Sequence, residues 1–253
     1  VLDGNSLVNR AFYGVGKNQL LTTRQGLHTN AIYGFVTMLQ KLLDQEKPDA
    51  VCAAFDRREP TFRHKADAAY KANRKGMPEE LAEQMLPLKQ VLTAMSIPRY
   101  ELTGYEADDL IGTISRKCEA AGWDCVIVTG DKDSLQLITD HTKVKLVSTR
   151  MGQTTTKDMT PETFQETYGF APIHMIDLKA LMGDSSDNIP GVPGIGEKTA
   201  CKLVQEWGTV ENILQNADRI KGRQGEKIAE WGDKLLLAKR LTTICLDVPI
   251  DFR

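Results

Sequence analysis

Residues 184–199 read Asp-Ser-Ser-Asp-Asn-Ile-Pro-Gly-Val-Pro-Gly-Ile-Gly-Glu-Lys-Thr. Two carboxylates, Asp184 and Asp187, stand just ahead of a glycine-rich hairpin that leads into a helix. Carboxylate oxygens bind hard cations. Bare backbone N–H groups at glycines, followed by a helix N-terminus, suit a phosphate. Metal ligands beside a phosphate cradle point to metal-dependent chemistry on a nucleic-acid backbone. An ordinary packing corner between two helices is the plain alternative for the hairpin taken alone.

Seven further acids could join that pair. Asp3 ends an apolar start, Val1-Leu2. Asp56 follows the continuous apolar run 50–55, which reads as a buried parallel strand. Glu106, Asp108 and Asp109 open a helical pattern over 107–121. Asp131 and Asp133 lie in Thr-Gly-Asp-Lys-Asp, after a strand over 125–128. In open parallel sheets ligands gather at the carboxyl ends of strands. Singly, an acid after a strand is a turn, and one at a helix start complements the dipole. Jointly, so many carboxylates on one sheet edge would repel each other by several kcal/mol without cations among them. All are oxygen donors with no accompanying His or Cys pattern, which favours Mg²⁺ or Mn²⁺ over zinc. The number of ligands favours two ions.

The elements that position these acids follow from periodicity. Helical spacing covers 31–43 and 81–95, the latter stopped before Pro98, and 99–102 and 144–147 read as further strands. Strand–helix alternation implies an α/β fold with a mostly parallel central sheet flanked by helices over residues 1–159. From Thr160, a capped helix start with proline in the first turn, the pattern turns helical to the end, with one more strand expected over 248–252. Residues 160–253 thus form a helical region, with the hairpin element at 189–205. No internal repeat stands out.

The chain has 253 residues, 41% of them hydrophobic, enough for one large domain or two smaller ones. It opens inside a strand without a methionine, as expected of a fragment. No apolar run nears the ~18 residues of a membrane span. Five scattered cysteines without a Cys-x-x-Cys pair read as reduced core thiols, hence a cytosolic protein. A Gly-x-Gly-x-x-Gly turn after the first strand is absent, which excludes a dinucleotide fold. The net charge of −2 hides an uneven distribution. Between Arg57 and Gly76 seven Lys/Arg (Arg57, Arg58, Arg63, Lys65, Lys71, Arg74, Lys75) face two acids, Glu59 and Asp67. This long insert, 57–80, is functional or a solvated charged loop. Lys71 and Arg74 are i, i+3, so a helix would present both on one face.

Val-Leu-Asp3-Gly-Asn-Ser, Ala-Ala-Phe-Asp56, Tyr70-Lys71-Ala-Asn-Arg74, Gly104-Tyr-Glu106-Ala-Asp108-Asp109, Thr-Gly-Asp131-Lys-Asp133 and Met-Gly-Asp184-Ser-Ser-Asp187 through Gly196 together resemble the structure-specific 5′-nucleases. The nearest resemblance is to the N-terminal 5′-nuclease domain of bacterial DNA polymerase I. It spans essentially the whole chain, in motif order, and all nine carboxylate positions are occupied. The intact Asp184/Asp187 pair argues against a stand-alone relative that lacks part of the second metal set.

The resemblance implies a PIN-like core. Asp3, Asp56, Glu106, Asp108 and Asp109 would serve mainly one metal, and Asp131, Asp133, Asp184 and Asp187 mainly the other. Residues 57–80 would form a helical arch, with Lys71 and Arg74 acting catalytically on the scissile phosphate. Tyr70 could stack on a base, and Arg63, Lys65 and Arg10 would contact the DNA backbone. Gly191, Gly194, Gly196, Lys198 and Lys202 would form a helix-hairpin-helix on the downstream duplex, reading no bases, with a potassium ion implied there. The implied activity is 5′-3′ exonuclease and flap endonuclease cleavage in primer removal and repair. Implied partners are duplex DNA with a 5′ flap, nick or RNA primer. A cytoplasmic, nucleoid-associated monomer fused to a polymerase domain is expected. A stand-alone 5′-3′ exonuclease, a non-catalytic DNA-junction module and a related RNA nuclease are the competing readings.

Overall fold

The computed structural model describes residues 1–14, 21–150 and 153–252. Six strands, β1 (Leu2–Asp3), β2 (Ala53–Ala54), β3 (Arg99–Tyr100), β4 (Cys125–Thr129), β5 (Thr142–Arg150) and β6 (Gln153–Met159), form one sheet in the order β3-β2-β1-β4-β5-β6. Every neighbouring pair is parallel except β5–β6. The chain lays strands outward from β1 to β3, then returns to place β4 on the other side of β1. The strand order therefore reverses between β1 and β4, where a doubly wound sheet opens a crevice at its carboxyl edge.

Alternate residues of the buried strands face opposite layers. Val128 joins Leu2, Phe55 and Val147 under α1 (Gly4–Gly14), α2 (Asn30–Glu46) and α4 (Glu79–Ala94), which contribute Leu7, Phe35, Leu39, Leu81, Leu88 and Leu92. Ile127 and Val144 face the other way, onto Leu110 and Ile111 of α5 (Ala107–Ala120). That second cluster continues without a break into the helical region. Its helices are α6 (Pro161–Tyr168), α7 (Met175–Met182), α8 (Glu197–Trp207), α9 (Val210–Gln215) and α10 (Arg223–Thr242). Between α7 and α8, β7 (Gly183–Asp184) and β8 (Ile189–Pro190) pair as a two-residue antiparallel ladder. The expected Thr160 cap is present: its side chain accepts the Thr163 N–H.

Three local expectations are corrected. Residues 248–252 form no strand; they run as irregular chain, with Val248 N–H held by Thr113 Oγ1 at 3.0 Å and Phe252 beside the Tyr100 ring. β6, a threonine-rich strand, pairs back on β5 where none was expected. The 57–80 segment is helical only as α3 (Phe62–Ala66) before Glu79; Lys71 follows in a turn with φ +55°.

One polar lock joins three distant segments. Arg63 on α3 reaches Asp109 on α5 with two N–H···O contacts of 2.8 Å each. The same guanidinium donates to the Leu241 and Thr243 carbonyls at 2.8 and 2.7 Å. The remaining Asp109 valences accept the Cys245 and Glu106 N–H groups at 2.8 and 3.0 Å. Both side chains are buried. Arg63 is therefore not placed for DNA and Asp109 not for a metal, because their charges are used on each other. Removing one partner leaves the other buried and unpaired, at a cost of about 3–5 kcal/mol. Arg63→Ala and Asp109→Ala are each expected to lose about that much in urea unfolding, and the double variant less than the sum. Two additive losses would show that the ion pair is not the source.

Candidate active site

The carboxyl edge between β1 and β4 gathers the predicted acids in two adjoining groups. Asp3 leaves β1 with its Oδ1 accepting Ser6 N–H (3.0 Å) and its Oδ2 accepting Thr129 Oγ1–H (2.6 Å). Thr129 ends β4 and also accepts Asp131 N–H, and Asp131 in turn accepts Asp133 N–H at 2.9 Å. Asp56 accepts the Ala107 N–H at 2.7 Å, which ties the end of β2 to the start of α5. One residue on, Asp108 Oδ1 is buried with no hydrogen-bond partner among the described residues. Burial pushes the Asp108 carboxyl well above its ordinary range, and the nearby charges of Asp3, Asp131, Asp56 and Asp133 add to it. Burial likewise raises Asp3 and Asp133 to about 7, with neighbouring carboxylates adding to both, and raises Asp56.

The second group lies around Glu106, the residue just before α5, and Asp187. The Lys71 ammonium is 2.8 Å from Glu106 Oε1 and 3.7 Å from Asp187 Oδ2. Arg74 pairs with Asp187 and donates to the Ser186 carbonyl at 3.2 Å. The Tyr70 hydroxyl lies 3.0 Å from Glu106 Oε2 and 3.1 Å from Asp187 Oδ2, sharing its proton between them. Its ring is buried, with the edge of His64 against it. The base-stacking role expected of Tyr70 is thus corrected: the ring is not exposed, and the hydroxyl orients two carboxylates. Lys71 and Arg74 do converge, but through the turn and not along a helix face. Two contacts hold them in register: Lys71 N–H donates to Asp187 O (2.8 Å), and the Asn188 side-chain amide donates to Ala69 O (2.7 Å).

Lys179 ties Asp133 of the first group to Asp184 and was not singled out from sequence. It is the one cation of α7, and its ammonium lies 2.6 Å from both Asp133 and Asp184. Burial works to raise the Asp184 carboxyl, but Lys179 and the hydroxyl of Ser186 bring it down to about 2. The only clue in the sequence is a lone lysine in the apolar run Met-Ile-Asp-Leu-Lys-Ala-Leu-Met, five residues before Asp184. Ser6, Arg10, Asp131, Lys132, Lys179 and Asp184 line an open cleft of about 430 Å³. Arg10 is set into that wall by a 2.5 Å bond to the Gly130 carbonyl, so it borders the cleft.

Lys65, Lys198 and Lys202 are exposed. Within the hairpin the glycines differ. Gly194 (φ +84°) and Gly196 are exposed, as a phosphate cradle needs. At Gly191 a Cβ would lie 2.2 Å from the Met182 carbonyl carbon, so this glycine serves a close backbone crossing and not a ligand.

Among the described residues no three acidic, histidine or cysteine side chains form a finished ligand cage. The lysines hold the carboxylates instead. The donor set still fits divalent cations: oxygen donors from four strand ends and α5, a buried unpartnered Asp108 oxygen, and four carboxyls, Asp3, Asp56, Asp108 and Asp133, whose charged form is disfavoured until a cation arrives.

A parallel sheet with an acidic crevice, flanked by a turn carrying lysine and arginine and by a glycine hairpin, defines a nuclease domain. Two family models cover the chain: "5'-3' exonuclease, N-terminal resolvase-like domain" matches residues 1–169, and "5'-3' exonuclease, C-terminal SAM fold" matches residues 170–253. The chain belongs to the 5′-3′ exonuclease family. It is 47% identical over 252 residues to DNA polymerase I of Bacillus subtilis, covering 99% of this chain and 28% of that protein. It is 42% identical over 250 residues to DNA polymerase I of Mycobacterium tuberculosis, covering 99% of this chain and 27% of that protein. The chain therefore spans little more than a quarter of these relatives. Among solved structures, T5 5′-exonuclease with divalent metal ions (zinc) bound superposes with a TM-score of 0.76 at 24% identity, over 96% of this chain and 88% of that one. The catalytic core of Rad2 in complex with DNA gives 0.56 at 15%, over 96% and 81%. At these identities the likeness is one of fold.

The raised carboxyls have a sign that can be checked. Asp3 and Asp133, at about 7 when folded against 3.8 in the free side chain, bind more protons in the folded state than in the unfolded state. Their contribution to stability is present below about pH 4 and is lost as pH rises through about 7. In chelator, the melting temperature should fall from pH 5 to pH 8, and Mg²⁺ should restore more of it at pH 8 than at pH 5. Asp108→Asn should raise the chelated melting temperature at pH 8 and shrink the Mg²⁺ increment. A Mg²⁺ increment equal at both pH values would contradict this account.

Proposed function

We propose that the chain is a structure-specific 5′-nuclease, acting as 5′-3′ exonuclease and flap endonuclease on phosphodiesters near junctions of single-stranded and duplex DNA. The observation that carries this reading is the convergence of Asp3, Asp56, Asp108, Asp131 and Asp133 on one sheet edge, with an unpartnered buried oxygen among them, in a chain of this family. Its similarity to DNA polymerase I over the first part of those proteins supports placement beside a polymerase and a role in removing RNA primers and displaced flaps. Duplex DNA with a flap, nick or RNA primer is the proposed partner of a monomeric chain in the cytoplasm. No helix of the described residues is long and apolar enough to cross a membrane.

Two Mg²⁺ or Mn²⁺ ions are the proposed cofactors, one drawing mainly on Asp3, Asp56, Glu106 and Asp108 and the other mainly on Asp131, Asp133, Asp184 and Asp187. Bound there, they would offset charge on the scissile phosphate and make an attacking water more acidic. The chain's own groups do the rest. Asp131 and Asp133 are held by the Thr129 turn. Tyr70 fixes Glu106 and Asp187. Lys71 and Arg74, engaged with these two carboxylates, stand where a phosphate entering the site could exchange for them and have its developing charge stabilised. Exposed Lys65 and Arg10 in the cleft wall would follow the strand. Gly194, Gly196, Lys198 and Lys202 would carry the duplex, with a potassium ion proposed at the hairpin carbonyls.

Asp131→Asn with Asp133→Asn is expected to abolish Mg²⁺-dependent cleavage of a labelled 5′-flap duplex while binding persists. Flap cleavage by the double variant at the parent rate would overturn the proposal. Lys71→Ala should lower the single-turnover rate ~10²–10³-fold, the scale for removing one group that stabilises transition-state charge. An unchanged rate would remove Lys71 from the chemistry. A parent chain that binds the flap but never cuts it would be the non-catalytic junction module instead.

A further inference from the structure

Two short segments of the helical region share a pattern too brief to read as a repeat along the chain. Gly196-Glu197-Lys198-Thr199-Ala200 opens α8, and Gly225-Glu226-Lys227-Ile228-Ala229 lies in the first turns of α10. Each has an exposed left-handed glycine just upstream, Gly194 with φ +84° and Gly222 with φ +73°. Each also has a glycine pressed onto preceding backbone. A Cβ at Gly191 would lie 2.2 Å from the Met182 carbonyl carbon, and one at Gly225 would lie 2.1 Å from Ala217 O. The register differs, since α10 begins at Arg223, ahead of its Gly-Glu-Lys. Both segments are nonetheless tight hairpins in which glycine contacts bring the turn down onto the helix before it.

The two hairpins abut. Lys227 Nζ on α10 donates to the Pro193 carbonyl of the first hairpin at 3.0 Å. The second hairpin therefore extends the surface of the first. That surface is cationic. Lys198 and Lys202 stand on one side, and Arg219, Lys221, Arg223 and Lys227 on the other. All six are exposed, and among the described residues none forms an ion pair with an acid. Glu226 is the only acid from Arg219 to Lys227. The lysines of α7 and the last turns of α10 behave differently: Lys179 and Lys239 each hold two carboxylates. Six exposed cations outside any ion pair on two joined turns, with Gln224 the one amide among residues 219–227, match a continuous sugar–phosphate backbone.

We propose that residues 219–227 form a second DNA-backbone contact continuous with the 194–202 hairpin, so that one duplex is gripped at two successive points, independent of sequence. This deepens the reading that the first hairpin carries the duplex and rests on it.

The test uses the otherwise unaltered protein and a 5′-flap substrate cut under single-turnover conditions in Mg²⁺. Lys221→Ala with Arg223→Ala should raise the half-saturating DNA concentration about tenfold near physiological salt and leave the saturating rate unchanged. The log–log salt dependence of the half-saturating concentration should become shallower by about 2, or ~0.9 for each phosphate that is no longer neutralised. Lys221→Glu with Arg223→Glu should exceed that effect, whereas Lys221→Arg should restore parent behaviour in an Arg223-intact background. Both changed residues are exposed, so an unchanged melting temperature serves as the folding check.

Lys198→Ala with Lys202→Ala separates the two readings. If that pair weakens the half-saturating concentration while the Lys221/Arg223 pair leaves it and the salt slope unmoved, the second contact is overturned and the first stands. If neither pair moves them, the duplex does not lie on this surface, and the hairpin assignment falls as well. A fall in saturating rate at unchanged half-saturation would also overturn the proposal, since a backbone grip remote from the acids acts on binding alone.

Discussion

Like-charge crowding governs this molecule. The doubly wound sheet delivers carboxylates from β1, β2, β4 and α5 to one crevice, and the β7–β8 hairpin over 183–190 adds two more. In a partly buried setting their mutual repulsion is large compared with the few kcal/mol by which a domain is stable. The chain answers it with its own cations. Lys179 sits between Asp133 and Asp184, Lys71 between Glu106 and Asp187, and Arg74 on Asp187. What they leave uncompensated is the inner group around Asp108, where burial holds the carboxyls toward their protonated forms. The site is electrostatically incomplete where divalent ions would add the most.

The same arrangement explains why the 62–74 segment lies against the site. Arg63 anchors it at one end through Asp109 and the 241–243 carbonyls, and Arg74 anchors it at the other through the 186–187 loop. Tyr70 fills the interval with its ring inward and its hydroxyl on the acids. Residues far apart in sequence are thereby coupled: movement of the Lys71 turn disturbs Asp187 directly and Asp109 through α3.

Much of this was legible in the sequence, for identifiable reasons. Short apolar runs ending in aspartate, such as 50–56 and 125–131, mark parallel strands whose carboxyl ends bear ligands, so the fold class and most of the acidic set could be written down beforehand. Burial of paired polar groups could not. Arg63 and Tyr70 look like solvent-facing members of a basic stretch, and only the tertiary positions of Asp109 and Glu106 turn them inward. Lys179 escaped because a single cation on an apolar helix has no local pattern. β6 escaped because Thr154, Thr155 and Thr156 show no hydrophobic alternation, and its pairing depends on β5 being adjacent. Residues 248–252 carried the opposite error: the alternation was there, but Val248 N–H is taken by Thr113 and Ile250 N–H folds back onto the Val248 carbonyl, so the segment meets β3 through the Phe252 ring and not through a ladder.

The two margins of the sheet have a consequence of their own. On one side β3 is only two residues long and begins with an exposed arginine, Arg99. On the other, β6 turns exposed Thr154, Thr155, Thr156 and Lys157 outward. A brief margin and a polar, lysine-bearing one are poor templates for an incoming strand. Copies of this chain brought close together along a single polymer would therefore find little to zip onto, and crowding would not readily convert this fold into fibrous assemblies.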